Sequence, residues 1–308
     1  MPAGSPSIGF LAFIVAVVVI VAGVGAGLLY EHNHPKAPSS PQTVQVGDNV
    51  TVNYIGLFGS GPQEGKVFDT SIQSVATDNA TYPKSLQYTP RSTGGYTPLP
   101  VHVGANTPGS GYNVSGTTYG GVVTGFWKGL VGLAVNQTRW ITVTPDQGYG
   151  PLQTSCLTTY PLVQTIPSYV SLTPAAFAKA YPKASAGAGA TFVDPTYGWV
   201  DTVASSNATA VVVAYGPTAG ESVSPYGWTM LVQNISSSRI TLASQLTPSS
   251  VGNVAGSIAN VSVCSTTKFL LWGVDLSAGT FTANYNKEVV GETLIFVVTL
   301  VAFAPTSS

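Results

Sequence analysis

The sequence predicts an α+β chain, mostly β, with a β-rich insertion and one N-terminal transmembrane helix. Three observations lead there. Ile8 to Tyr30 runs for 23 residues without a charge. From Thr43 onward apolar and polar residues alternate in segment after segment, the period-two signature of half-buried strands. Only Thr124–Leu133 and Pro174–Ala180 carry helical spacing in the rest of the chain.

Ile8–Tyr30 is long enough to cross a ~30 Å hydrocarbon core as a helix. A cleaved signal peptide would show a basic start and a shorter apolar core, and neither is present, although Gly23, Gly25 and Gly27 imitate a small-residue cleavage site. The expectation is a single-pass cell-membrane protein, anchored through residues 1–30, with its folded part outside the cytoplasm. Residues 31–42, polar and proline-rich, read as a semi-extended spacer. Val44–Leu57 and Thr138–Thr144 alternate as strands, and Thr124–Leu133 places Phe126, Leu130 and Leu133 on one helical face. Gly129 and Gly132 weaken that helix by roughly 1 kcal/mol each relative to Ala, so packing must hold it. Tyr197-Gly198-Trp199 and Tyr226-Gly227-Trp228 each open an alternating run broken by a polar Ser/Asn turn, a weak two-copy repeat that reads as two hairpins of one or two small β-barrels. Thr293–Phe303 is too apolar for an edge strand and belongs in the middle of a sheet.

Charged residues make up only 7% of the chain, 11 Lys+Arg against 12 Asp+Glu. With no basic stripe, nucleic-acid binding is excluded as a reading, because it needs a cationic footprint. So little charge suits a protein adapted to an acidic exterior, and equally a glycosylated or adhesive surface protein. Seven N-x-S/T triplets, at Asn49, Asn79, Asn113, Asn136, Asn207, Asn234 and Asn260, agree with an outside location as a pattern. Cys156 and Cys264 either form one disulfide in an oxidising compartment or stay as two buried thiols. His32, His34 and His102 are too few and too scattered for a metal site, so neither metal nor cofactor is expected.

Three separated segments then resemble the FKBP family of peptidyl-prolyl isomerases, in the family's order. Val46–Ser71 (VGDNVTVNYIGLFGSGPQEGKVFDTS) is similar to its first strand and F-D-[ST] turn. Val122–Gly150 (VVTGFWKGLVGLAVNQTRWITVTPDQGYG) is similar to its apolar pair, Gly-aromatic helix start, strand and Y-G turn. Ala283–Phe303 (ANYNKEVVGETLIFVVTLVAF) resembles the closing segment of the SlyD-like branch, in which a chaperone domain is inserted just before it. The resemblance implies a curved antiparallel sheet around a short helix, built from 43–150 plus 281–304, with 151–280 as an inserted β-rich domain.

The same resemblance implies a site in which Asp69, Tyr149, Tyr54 and Phe68 are catalytic and Val122, Val123, Phe126 and Phe296 bind substrate. By residue type alone the valines and Phe296 read as plain core, and Asp69 before Thr70-Ser71 as a turn cap. The implied activity is cis-trans isomerisation of X-Pro bonds in unfolded or proline-containing polypeptides, with the insert holding clients. A macrolide of the FK506 type is the implied small-molecule ligand. Non-catalytic peptide-binding chaperone and structural or adhesive surface protein are the competing readings. Three departures stand out: the long stretch Gln73–Leu99, the Gly/Ser/Tyr-rich Ala105–Gly120, and Lys287-Glu288-Val289-Val290 where the branch has His-Pro-Leu-Ala.

Overall fold

The structure, a computed structural model, describes residues 41–106, 111–258 and 261–304. They form two compact units, the first through residue 152 and again from 287, the second from 153 to 286. The sequence places the second break near 281. Thr280–Asn284, however, pairs in register with Leu157–Pro161 inside the second unit.

In the first unit a five-stranded antiparallel sheet carries β1 (Asn49–Phe58), β2 (Val67–Thr70), β3 (Leu99–His102), β6 (Thr138–Val143) and the C-terminal strand β19 (Leu294–Phe303). A small hairpin, β4 (Tyr112–Val114) and β5 (Thr117–Tyr119), stands beside it. β1 and β19 pair along nine positions at the centre, which explains why both are buried on two faces. Period-two alternation sends Val50, Val52, Tyr54, Phe296, Val298 and Leu300 to one side, where Phe126, Leu130 and Leu133 cover them. Ile55, Leu57 and Val297 go to the other side, under Val75 of the short helix α1 (Gln73–Thr77) and Tyr82.

Helix α2 (Thr124–Leu130) is shorter than the spacing predicts, because the chain leaves helical geometry at Val131 and Gly132 takes φ +81°. Its glycines turn out to serve packing. A Cβ on Gly125 would stand 2.8 Å from Val143 and one on Gly129 would stand 2.4 Å from Ile141, so only bare backbone lets α2 lie this close to β6.

The second unit opens with β7 (Leu157–Pro161), β8 (Val163–Pro167), β9 (Tyr169–Leu172) and the helix α3 (Pro174–Ala180), which starts on Pro174 with the Thr173 hydroxyl accepting from Ala176 N–H. Three meanders follow: β10–β11–β12 (Thr191–Val193, Val200–Ser206, Val211–Ala214), β13–β14–β15 (Ser222–Val223, Met230–Ile235, Arg239–Ser244) and β16–β17–β18 (Ala255–Ser257, Lys268–Asp275, Thr280–Asn284). Each gains a fourth strand from the start of the unit, β9 on β12, β8 on β15 and β7 on β18. The long strand of each meander bulges at the same place, after Val203, Val232 and Leu271.

The repeat therefore has three copies, where the sequence discloses two. The offset that carries the first Tyr-Gly-Trp onto the second also carries Val203 onto Val232, Val211 onto Ile240 and Val213 onto Leu242. In the third copy the triplet is missing. Its β16–β17 loop instead holds Cys264, joined to Cys156 in a disulfide with Cα atoms 5.7 Å apart, which decides between the two states left open for the cysteines.

The fold class needs correcting in three respects. The insert is three open four-stranded sheets, and a barrel does not form. The three α-helices among the described residues run only five to seven residues, so the class is mostly β rather than α+β. None of these helices is long and apolar enough to cross a membrane, and the transmembrane helix is withdrawn from the fold class. Ile8–Tyr30, on which it was placed, lies outside the described residues.

Candidate functional site

The eight residues singled out in the sequence fall in the first unit, on β1, β2, the start of α2, the turn after β6, and β19. The centre is an aromatic box. Phe126 meets Phe296 edge-to-face at 4.9 Å and Tyr54 at 6.0 Å, while Phe68 meets Phe296 at 5.5 Å. Such T-shaped contacts let the positive ring edge meet the negative face of its neighbour. Phe126, Phe296 and Tyr54 are almost fully buried and form the floor. Phe68, Val122 and Val123 are half-buried walls, and Tyr149 stands at the rim, 47% exposed.

Local backbone features put these side chains on one side. β2 bulges against β1 between Gly56 and Leu57, so Phe68 and Asp69, adjacent in sequence, both reach the α2 side of the sheet. Gly56 allows this: a Cβ there would stand 2.6 Å from the Phe68 ring. Thr70 Oγ1 donates to the Tyr54 carbonyl at 2.8 Å and Tyr54 N–H donates to Ser71 Oγ at 2.9 Å, pinning the end of β2 to β1.

The polar part sits at the edge of the box. Tyr54 Oη donates to Asp69 Oδ2 at 2.5 Å, and Thr70 N–H donates to Asp69 Oδ1 at 2.8 Å. Arg91 Nη2 reaches the Tyr54 hydroxyl at 2.7 Å and both Asp69 oxygens at 2.9 and 3.1 Å. Burial first, then the negative charge of Asp69, holds the Tyr54 phenol far above its ordinary pKa, so it stays a donor at any physiological pH. The Tyr149 phenol is also raised, by desolvation and then by Asp69. Each phenol therefore holds its proton more tightly than a free tyrosine does.

No family model matches the chain. It is 29% identical over 107 residues to a short-type peptidyl-prolyl cis-trans isomerase of Methanocaldococcus jannaschii. That similarity covers 35% of this chain and 51% of the relative, so the chain spans about half the length of the curated relative it matches. The chain is thus distantly similar to a peptidyl-prolyl cis-trans isomerase over about a third of its length.

Arg91 is the site residue that the sequence did not disclose. It lies in the long stretch after α1, where neither a motif nor a period marks it. The available signal was rarity, since it is one of three arginines in 308 residues. That stretch is fastened in two ways: Tyr96 Oη accepts from Arg91 N–H at 2.9 Å, and Ser85 Oγ donates to Glu288 Oε2 at 2.8 Å. Glu288 belongs to the segment that departs from the SlyD-like pattern, so the two departures are bonded to each other. Among the described residues no cluster of His, Cys, Asp and Glu has the makings of a metal site.

Proposed function

We propose that the first unit is a peptidyl-prolyl cis-trans isomerase acting on X-Pro bonds of unfolded polypeptides. The observation that carries this reading is the aromatic box with Tyr54, Asp69 and Arg91 bonded together at its edge. Isomerisation requires no nucleophile. It requires a site that binds the twisted amide better than either planar form. Phe68, Val122 and Val123, over the floor of Phe126 and Phe296, offer the proline ring an apolar seat and exclude the water that stabilises the resonant amide. Asp69 sets a fixed dipole beside the rotating carbonyl, with Tyr54 and Arg91 positioning it, while the protonated Tyr149 hydroxyl donates to the substrate backbone. The same seat is the place where a macrolide of the FK506 type would compete. We place the protein's work outside the cytoplasm, a reading that the Cys156–Cys264 disulfide supports.

One observation favours a second reading, in which the chain holds peptides without catalysis. Val193 and Val200, partners across β10 and β11, are 64% and 54% exposed, and β10 is the edge of its sheet. The test is cis-to-trans isomerisation of a proline tetrapeptide by the full chain, by Asp69→Ala and by Tyr149→Phe. The isomerase reading expects turnover well above background, reduced in both variants. A folded wild type with no turnover at acidic or neutral pH overturns the isomerase reading and leaves the holding protein and the structural or adhesive surface protein.

A further inference from the structure

The second unit buries a pair of acids that the proposed activity does not use. Asp201, on β11, is 0% exposed and Asp194, just past β10, is 3% exposed. Asp194 Oδ1 accepts from the backbone N–H groups of Thr196 at 2.7 Å and Tyr197 at 2.8 Å, and its Oδ2 accepts from the Tyr181 hydroxyl at 3.4 Å. Asp201 Oδ1 accepts from Gly216 N–H at 3.2 Å, but its Oδ2 is buried without a donor. Asp201 pairs with Phe192 and Asp194 lies two residues further on, so strand alternation sets the two acids diagonally on one face of the β10–β11 pair. The titratable groups facing them are the phenols of Tyr181 from α3, Tyr197 from the β10–β11 loop and Tyr215 after β12. Among the described residues no lysine, arginine or histidine bonds to either carboxyl, and the Trp199 indole N–H, itself buried without another partner, is the neutral donor that stands by Asp201.

The repeat supplies an internal control. The offset that superposes the first two copies carries Asp194 onto Val223 and Asp201 onto Met230, which are themselves cross-strand partners, 4% and 0% exposed. In the third copy, counting back from the shared bulge, Phe269 takes the place of Asp201 and is 1% exposed. The fold therefore builds this position twice from apolar residues, and buried acids are not something the architecture needs.

We infer that Asp201 keeps a proton beside Asp194 and that the pair acts as a latch that closes the β9–β12 sheet in acid and loosens it toward neutral pH. Burial, followed by the charge of Asp194, pushes the Asp201 carboxyl up to about 7. In the unfolded chain an aspartate titrates near ~3.9. The folded state thus holds one extra proton between about pH 4 and 7. The latch's contribution to stability is complete below that window, falls as pH rises through it, and is gone above the folded value.

Amide hydrogen exchange of the full chain between pH 4 and 8, corrected for the intrinsic pH dependence of exchange, tests the latch in wild type, Asp201→Asn and Asp201→Met. In wild type, the opening constant reported by β11 and β12 amides should rise by up to about tenfold per pH unit from 4 to 7 and then level off. Both variants, which lack the carboxyl whose proton is lost over this range, should be flat there. A flat wild-type profile overturns the inference on its own, even if neither variant folds. A folded variant that keeps the wild-type slope overturns it as well.

Discussion

The two units are built on opposite plans, and each plan shows in the kinds of residue it uses. The first is a five-stranded sheet with a short helix on each face and a small hairpin beside it, irregular in every detail that matters: a bulge at Phe68, a bare backbone at Gly56, a long excursion that brings Arg91 to Asp69. The second is one meander used three times, with a bulge recurring at one position and apolar residues meeting across equivalent strands. Irregularity in the first unit gathers at the candidate site. In the second unit regularity fails at Asp194 and Asp201, and in the loop where the disulfide replaces the aromatic triplet. Where a repeated plan is broken, the broken position carries information that sequence pattern alone does not flag.

The largest effect that separates the units should come from Phe296→Ala, which removes a ring touching Tyr54, Phe68 and Phe126. A loss of about 3–5 kcal/mol is expected in the first unit. Exchange protection in β10–β18 should stay at wild-type level, and a matching fall there would erase the distinction between the units. Next comes the double variant Cys156→Ser with Cys264→Ser. The bridge closes a loop with a sequence separation of 108, for which chain entropy gives a stabilisation of up to about 4–5 kcal/mol. Denaturant unfolding followed by exchange should show that loss in the second unit and leave proline turnover untouched.

Arg91→Met is a smaller and sharper test. The pair it breaks is 31% and 41% exposed, so solvent screens it and stability should move by less than about 1 kcal/mol. Turnover on a proline tetrapeptide should nonetheless fall by about tenfold, because Asp69 and Tyr54 lose the group that orients them. Equal turnover in the variant would make Arg91 a fastening of the loop and nothing more. Smallest is Glu288→Gln. Burial raises this carboxyl above its ordinary value, despite the Ser85 hydrogen bond that lowers it. Its contribution is therefore present below the unfolded carboxylate range and lost as pH rises through the folded value. The variant's thermal midpoint should gain slightly on wild type as pH rises toward neutral.

Legibility in the sequence followed the same divide. The alternation of Val44–Leu57, the apolar run ending at Phe303 and the Gly-Phe at the head of α2 are local patterns, and the strands and helix they announce carry most of the box. Gly129 was read as a weakness because propensity is local, whereas its value lies in the distance to Ile141 across the core. Arg91 was invisible because its partners are 22 and 37 positions away and no periodicity links them. The third copy in the second unit was missed for a related reason. Its long strand bears no Tyr-Gly-Trp, and the shared feature, a bulge between paired strands, has no residue signature.

The strand pairings also prescribe an order of birth. β9 pairs with β12, β8 with β15, β7 with β18, and finally β1 with β19, so the partnerships nest one within another like brackets. As the chain leaves the ribosome, β1 must wait through the whole of the second unit before its central partner exists. Phe296, in the floor of the candidate site, is then translated only after the whole second unit. A nascent chain would consequently possess a finished insert before it possessed the aromatic box, and any truncation ahead of Leu294 would leave the strand carrying Tyr54 without its neighbour.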